Sequence, residues 1–324
     1  MEVCLHTHRW PIRGSFTIAR GSKTCVNTII VEMKSQGGVG RGECVPYGRY
    51  GESIESVLAQ IASVIPEIKA GLTRVQLQER LPSGAARNAI DCAMWDLECK
   101  LSNRSIWDIT GIQASPLTTA YTLSLDTPLN MEQAAKDNAH RPLLKLKLGG
   151  PEDLARVQAV RRGAPSARIV LDANEAWTPD IYLALIPELE TLGVAMIEQP
   201  FPAHQDQILA HLPRPIPLCA DESCHDRASL PDIIGRYDMI NIKTDKTGGL
   251  TEALALKAEA SAAGLSVMVG CMLSSSLSMA PAFVVAQGVD MVDLDGPLLL
   301  AQDIESGFEF ERNVMLPFKF ELWG

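Results

Sequence analysis

LLKLKLG (Leu143 to Gly149), RIVLDAN (Arg168 to Asn174), VAMIEQP (Val194 to Pro200), IPLCADE (Ile216 to Glu222) and MINIKTD (Met239 to Asp245) are apolar runs that each end in charge. They carry Lys145 and Lys147, then Asp172, then Glu198, then Asp221, then Lys243. Burying a carboxylate unpaired costs several kcal/mol. Three carboxylates at apolar strand ends therefore point to a cation that holds them, and lysines on both sides of that cation point to proton transfer.

Working outward, apolar runs begin near residues 117, 143, 168, 194, 216, 239, 266 and 291, at intervals of about 25 residues. Between them lie stretches of helical spacing such as Pro151 to Arg162, Pro179 to Leu192 and Leu250 to Ala263. This alternation predicts an α/β fold, a (β/α)7β TIM-like barrel over residues 116–298. A doubly wound open sheet would carry a glycine-rich phosphate turn after its first strand, and none follows Ala120 to Leu125. Residues 1–115 read as an α+β capping domain. Its hairpin runs from Cys25 to Met33, turns at Gly37-Gly38 and returns over Val39 to Cys44. Its helices span Ser53 to Ile68 and Ala85 to Leu101, the second with Ile90, Ala93, Met94 and Leu97 on one face. Residues 299–324 are expected to return to the capping domain.

The chain has 324 residues and a net charge of −10, which argues against nucleic acid or an acidic membrane as partner. No run approaches the roughly 20 apolar residues of a membrane helix, and MEVCLHTHRW has no apolar signal region, so a cytoplasmic location is expected. Eight cysteines without a C-x-x-C pair read as reduced, mostly buried thiols. A homo-oligomer through apolar rim surfaces stays open.

In such barrels the site lies at the C-terminal ends of the strands. Asp172, Glu198 and Asp221 would then be neighbours on the third, fourth and fifth strands. Carboxylates without a histidine are hard oxygen ligands suited to Mg²⁺, with Mn²⁺ as a substitute. Lys147 and Lys243, on the second and sixth strands, lie across the mouth from each other. A substrate α-carbon between them could lose its proton to one lysine and regain one from the other. The ion and Lys145 would stabilise the enediolate and favour a neutral Lys147. That geometry performs 1,1-proton transfer. Asp293 and Asp295, two apart at the end of the last strand, are expected to face the site together and to attract an ammonium.

K-x-K, LDAN, IEQP, ADES and NIK in this order resemble the enolase superfamily, muconate-lactonising subgroup. The likeness extends to the PYGRYGES loop and the AARNAIDCAMWDL helix of the capping domain. It implies lysine bases working with Mg²⁺, the established pattern of that superfamily. The D-x-D at Asp293 and Asp295 is similar to the dipeptide epimerase branch, where it holds the free N-terminus of the substrate. This implies a dipeptide partner, L-Ala-D-Glu and L-Ala-L-Glu, and a place in murein peptide recycling. It also implies that Lys147 serves the (R)-epimer and Lys243 the (S)-epimer. Arg20 is then the candidate for the glutamate side chain, with Arg49 behind it, and Thr122 a candidate hydrogen-bond partner of the dipeptide. Glycine-rich capping loops (Gly21, Gly48, Gly51) read as a lid. Some subgroup members carry an acid where Ser274 stands, and epimerisation does not need it. The alternatives are an N-acylamino acid racemase, an o-succinylbenzoate synthase-type lyase and a non-catalytic ligand-binding barrel. A phosphate barrel using Gly248-Gly249 is disfavoured by Asp245 nearby.

Overall fold

A computed structural model describes residues 1–150 and 152–324. The cap opens with an antiparallel sheet of β1 (Glu2–Ile18), β2 (Gly21–Ser35) and β3 (Gly38–Cys44). Helices α1 (Ile54–Lys69), α2 (Arg74–Arg80), α3 (Ala85–Ser102) and α4 (Ile106–Thr110) follow. Ser53 caps α1 in a capping box with Ser56, which fixes the start that sequence spacing anticipates. Gly40 and Gly42 let β3 lie directly on α3. A Cβ on Gly42 would stand 2.2 Å from the Ala89 carbonyl oxygen.

The barrel strands are β5 (Tyr121–Leu123), β6 (Leu143–Lys147), β7 (Arg168–Asp172), β8 (Val194–Glu198), β9 (Leu218–Ala220), β10 (Met239–Ile242), β11 (Ser266–Gly270) and β12 (Met291–Asp293). They pair in parallel in chain order. The ring is closed by Ala120 N–H to Val292 O at 2.8 Å and Leu294 N–H to the Thr119 hydroxyl at 2.8 Å. Helices α5 (Pro128–Asp137), α6 (Asp153–Gly163), α7 (Pro179–Thr191), α8 (Leu230–Ile233), α9 (Thr244–Thr247), α10 (Leu250–Ala262), α11 (Ser276–Val285) and α12 (Gly296–Leu299) surround it. Pro151, the predicted start of α6, lies outside the described residues. Short 3₁₀ turns replace the helix after β8.

Inward side chains alternate along each strand. Ala120, Leu143, Val170, Met196, Cys219, Met239, Met268 and Met291 form an apolar floor, one residue from each strand or its immediate start. Above that floor the inward positions turn polar. The outward positions, such as Leu144, Leu146, Ile169 and Leu171, join the larger core beneath the helices.

One expectation changes. The run at Leu117 is not the first barrel strand. Leu117–Thr118 is a separate strand, β4, which pairs with β14 (Val314–Met315) beside β13 (Phe310–Glu311). Strand β1 was hidden by its polar residues and by Pro11 and Gly14, and a register shift falls between Pro11 and Phe16. Gly248-Gly249 is a junction with the cap, since Arg87 donates to Thr247 O at 2.7 Å and to Gly248 O at 3.3 Å. A Cβ on Gly249 would stand 2.5 Å from Asp91, leaving no cradle for a phosphate. At the C-terminal end Trp323 donates its indole N–H to Arg41 O and Cys92 O, and Gly324 N–H donates to Asp96 at 2.7 Å. All eight cysteines are free thiols, five of them buried. Among the described residues no helix is long and apolar enough to cross a membrane.

Candidate active site

Strand β6 raises Lys145 and Lys147 on its inward face, the deeper one first. Lys145 is completely enclosed, with Nζ 2.6 Å from Glu198 Oε2, 2.7 Å from Asp293 Oδ2 and 3.3 Å from Asp172 Oδ2. Burial works against its charge, but Asp293, Glu198 and Asp172 hold it firmly as an ammonium. Lys147 sits one layer higher and pairs with Asp172 Oδ2 at 2.5 Å. Across the mouth, Lys243 pairs with Asp221 Oδ2 at 2.6 Å. Burial opposes the Lys243 charge too, and Asp221 and Glu198 override it, raising its pKa well above the ordinary lysine value.

The three carboxylates of β7, β8 and β9 are buried between these lysines. Burial pushes the Asp172 carboxyl up, and Lys147 and Lys145 more than offset this, leaving it at about 2. Asp221 is likewise held well below the carboxylate range, because Lys243 and Lys246 outweigh burial. Glu198 is pushed up by burial and by Asp172, and it accepts from Asn241 Nδ2 at 2.7 Å. Asn241 has room only because β11 ends in Gly270, where a Cβ would stand 2.6 Å from the amide.

A cavity of about 380 Å³ lies over this mouth. Lys147, Asp221, Glu222 and Lys243 reach it from the barrel, and Phe16, Ile18, Tyr47 and Tyr50 wall it from the cap. Arg20, at the tip of the β1–β2 hairpin, also lines it. Its guanidinium donates to Glu222 Oε1 (2.9 Å), Glu175 Oε2 (3.3 Å), Asn174 O (3.0 Å) and the Tyr47 hydroxyl (3.2 Å). Arg49 forks onto both oxygens of Glu175 at 2.8 and 2.7 Å. Asn174, Glu175 and Gln199 have positive φ, so the chain turns sharply at the ends of β7 and β8 and brings these groups over the rim.

Asp293 and Asp295 are both buried, but not as one strand face. β12 ends at Asp293, and Asp295 has left the extended conformation (φ −86, ψ 3). Asp293 is engaged by Lys145, whereas Asp295 accepts the Thr122 N–H at 2.6 Å. Burial and the Asp293 charge lift Asp295 to about 7. Thr122 is thus placed against Asp295, and neither acid lines the open cavity.

Three residues of the candidate site, besides Asn241, escape sequence reading. Lys246 is wholly buried, donating to Asp221 Oδ1 at 2.6 Å and to Asn241 O at 2.9 Å. Its signal was a second lysine three residues after Lys243. Gln199 accepts from Asp221 N–H and Ser223 N–H, fixing the ADES turn. Glu222 is lifted to about 7 by burial and by the charges of Asp221 and Asp172.

Among the described residues no three carboxylates gather into a ready-made metal cage, since ammonium groups stand between them. The donor chemistry nonetheless suits a hard divalent ion. All three are buried oxygen ligands, and Glu198 Oε2 has no hydrogen bond despite its ionic neighbour.

Residues 130–311 match the family described as Enolase C-terminal domain-like, and residues 1–111 match the Mandelate racemase / muconate lactonizing enzyme N-terminal domain. The chain belongs to this family of the enolase superfamily. It is 47% identical to the L-Ala-D/L-Glu epimerase of Escherichia coli (strain K12), over 93% of this chain and 95% of that one. It is 42% identical to an N-acetyl-D-glutamate racemase of a Pseudoalteromonas species, over 91% and 95%. An enolase family member from Agrobacterium tumefaciens with homology to dipeptide epimerases, solved with sodium and L-Ala-L-Glu, superposes with a TM-score of 0.98 at 50% identity over 99% of both chains. A dipeptide epimerase from Enterococcus faecalis V583, solved with Mg and L-Leu-L-Tyr, superposes at 0.91 with 28% identity over 99% and 98%.

Proposed function

We propose that this protein is a Mg²⁺-dependent dipeptide epimerase that interconverts L-Ala-D-Glu and L-Ala-L-Glu in the cytoplasm, within murein peptide recycling. It is an isomerase. The observation that carries the reading is the placement of Lys147 and Lys243 in one cavity from β6 and β10, with Asp172, Glu198 and Asp221 on the strands between.

In this reading Asp172, Glu198 and Asp221 would hold the ion, which would supply a positive charge for the substrate carboxylate and for the negative charge that develops when the α-proton leaves. Lys145, enclosed among Glu198, Asp293 and Asp172, adds a fixed positive charge. Lys147 and Lys243 face opposite sides of the α-carbon. One removes the proton and the other returns one, so the configuration inverts. For the reverse reaction the roles exchange. Asp293 and Asp295 attract the substrate ammonium, and Thr122 keeps Asp295 in place. The cap walls exclude water and supply a cation for the γ-carboxylate.

A second reading, racemisation of N-acylated glutamate, is favoured by the 42% identical relative. Such substrates have no ammonium. Asp295→Asn should therefore cost a dipeptide epimerase roughly 10- to 100-fold in kcat/KM, the worth of a charge-assisted hydrogen bond, and should leave N-acetylglutamate turnover within a few-fold of its starting value. Proton NMR of L-Ala-D-Glu with the protein and Mg²⁺ in D₂O tests the main reading. Deuterium at the glutamate α-carbon, with growth of the L-Ala-L-Glu signal, is the expected result. Exchange with N-acetylglutamate alone would move the assignment to the second reading.

A further inference from the structure

We propose that Asn241 and Lys246 are positioning residues that make the cation site selective for a small ion, each holding one oxygen of Glu198 or Asp221 so that the carboxylate can offer only the other. This rests on the metal-dependent reading above. The same pattern recurs at all three acids. Asp172 Oδ1 accepts the Asn174 N–H at 3.0 Å, Glu198 Oε1 accepts Asn241 Nδ2 at 2.7 Å, and Asp221 Oδ1 accepts Lys246 Nζ at 2.6 Å. The second oxygens turn to the lysines of the mouth. Asp172 Oδ2 meets Lys147 at 2.5 Å and Lys145 at 3.3 Å, Glu198 Oε2 meets Lys145 at 2.6 Å, and Asp221 Oδ2 meets Lys243 at 2.6 Å. Each acid thus has one oxygen held by a hydrogen-bond donor and one facing a cation.

The two side chains have no other use in view. Lys246 is wholly enclosed, and its ammonium already has three acceptors: Asp221 Oδ1 and Asp221 O, both at 2.6 Å, and Asn241 O at 2.9 Å. An ammonium has three hydrogens, so none is left for a substrate, and Lys246 does not line the cavity that Lys147 and Lys243 reach. Asn241 is buried, and its Oδ1 has no hydrogen-bond partner. A buried amide with an unpaired oxygen is less stable than a leucine of the same shape unless its nitrogen does what leucine cannot. Here the nitrogen fixes Glu198. Because Lys246 also donates to Asn241 O, the pair forms one brace behind β8 and β9. The consequence is a choice between ions. Ca²⁺ takes roughly six to eight oxygens and accepts both oxygens of one carboxylate, whereas Mg²⁺ takes fewer protein ligands and keeps water or substrate in the other positions. With Glu198 Oε1 and Asp221 Oδ1 held, the larger ion cannot recruit the extra oxygens that suit it.

The test is ion binding without turnover. The ion-free parent, Asn241→Leu and Lys246→Met are titrated with Mg²⁺ and with Ca²⁺ by isothermal titration calorimetry. Asn241→Leu keeps the shape of the side chain, and it decides the matter alone if Lys246→Met does not fold. Each folded variant is expected to bind Mg²⁺ roughly 10- to 100-fold more weakly, the usual effect of removing a partner of a metal ligand. Ca²⁺ binding is expected to hold or tighten, so that the preference shifts toward Ca²⁺ by at least about tenfold. Equal weakening of both ions in a folded variant would make the pair a brace without selectivity and overturn the proposal, and unchanged affinities for both overturn it too. Either result leaves the metal-dependent reading intact. A parent that binds no Mg²⁺ overturns both.

Discussion

At the scale of single residues, the two lysines make a distinction that a one-base site cannot. If each serves one face of the α-carbon, Lys243→Ala should lower epimerisation at least 1,000-fold, the upper part of the range for a lost general acid–base. The epimer whose proton faces Lys147 should still exchange that proton with D₂O, without inversion. Mass spectrometry of each recovered epimer checks this, and equal loss of exchange from both would sink the two-face scheme. The lysines and metal-type carboxylates were legible because strand ends concentrate charge against an apolar background. Lys246 was not, because it lies on the one-turn α9 beyond the apolar run, where an extra lysine looks like a solvated rim residue. Asn241 was equally hidden: an asparagine between two isoleucines shows its partner only when β8 and β10 are folded together.

Elements connect these residues to the lid. The β1–β2 hairpin and the 3₁₀ turn at Gly48–Tyr50 are both tied to the loop after β7 through Glu175. Glu175→Gln keeps the shape and one acceptor oxygen but removes the charge that both arginines share. Faster amide exchange over residues 15–24 and 46–52, with the barrel strands unaffected, is the expected outcome by hydrogen-exchange mass spectrometry. Unchanged protection there would mean that the loops are held by their apolar contacts instead. The strand series was readable because period-two apolar runs recur between helical stretches. Leu117–Thr118 misled because two residues cannot show a period, and only pairing with β14 decides their place. β1 failed for the opposite reason: it is long, but its faces are part-exposed and its alternation is broken at Pro11 and Gly14.

For the whole molecule, the seam between cap and barrel carries a titratable joint. Asp245, after β10, accepts Val45 N–H at 3.0 Å and Asn88 Nδ2 at 2.8 Å, both on Oδ1. Burial, with Glu52 and Glu43 nearby, lifts it to about 7, although the two hydrogen bonds oppose the shift. An unfolded aspartate titrates near 3.9. Below that pH both states are protonated and the contribution of this group is complete. As pH rises from about 4 to 7 the unfolded chain ionises first, so stability is lost through that window. Asp245→Asn can keep both bonds through its own Oδ1 and has nothing to ionise. Its stability relative to the parent should rise across this window and level off above it, by on the order of a few kcal/mol. Urea midpoints from pH 5 to 8 measure it, and a gap independent of pH would show that Asp245 is already charged in the fold. This joint was unreadable in the sequence, where Asp245 looked like an obstacle to phosphate. Its partners come from the cap, about 160 and 200 residues away in the chain.

The barrel floor has its own consequence. Met196, Met239, Met268 and Met291 are at most 6% exposed, while Met1 is 50% exposed. Thioethers oxidise where peroxide can reach them. The four floor sulfurs are therefore a tally of how often the closed end of the barrel comes apart. Their sulfoxide content in an aged preparation records global opening, and that of Met1 records only exposure to oxidant.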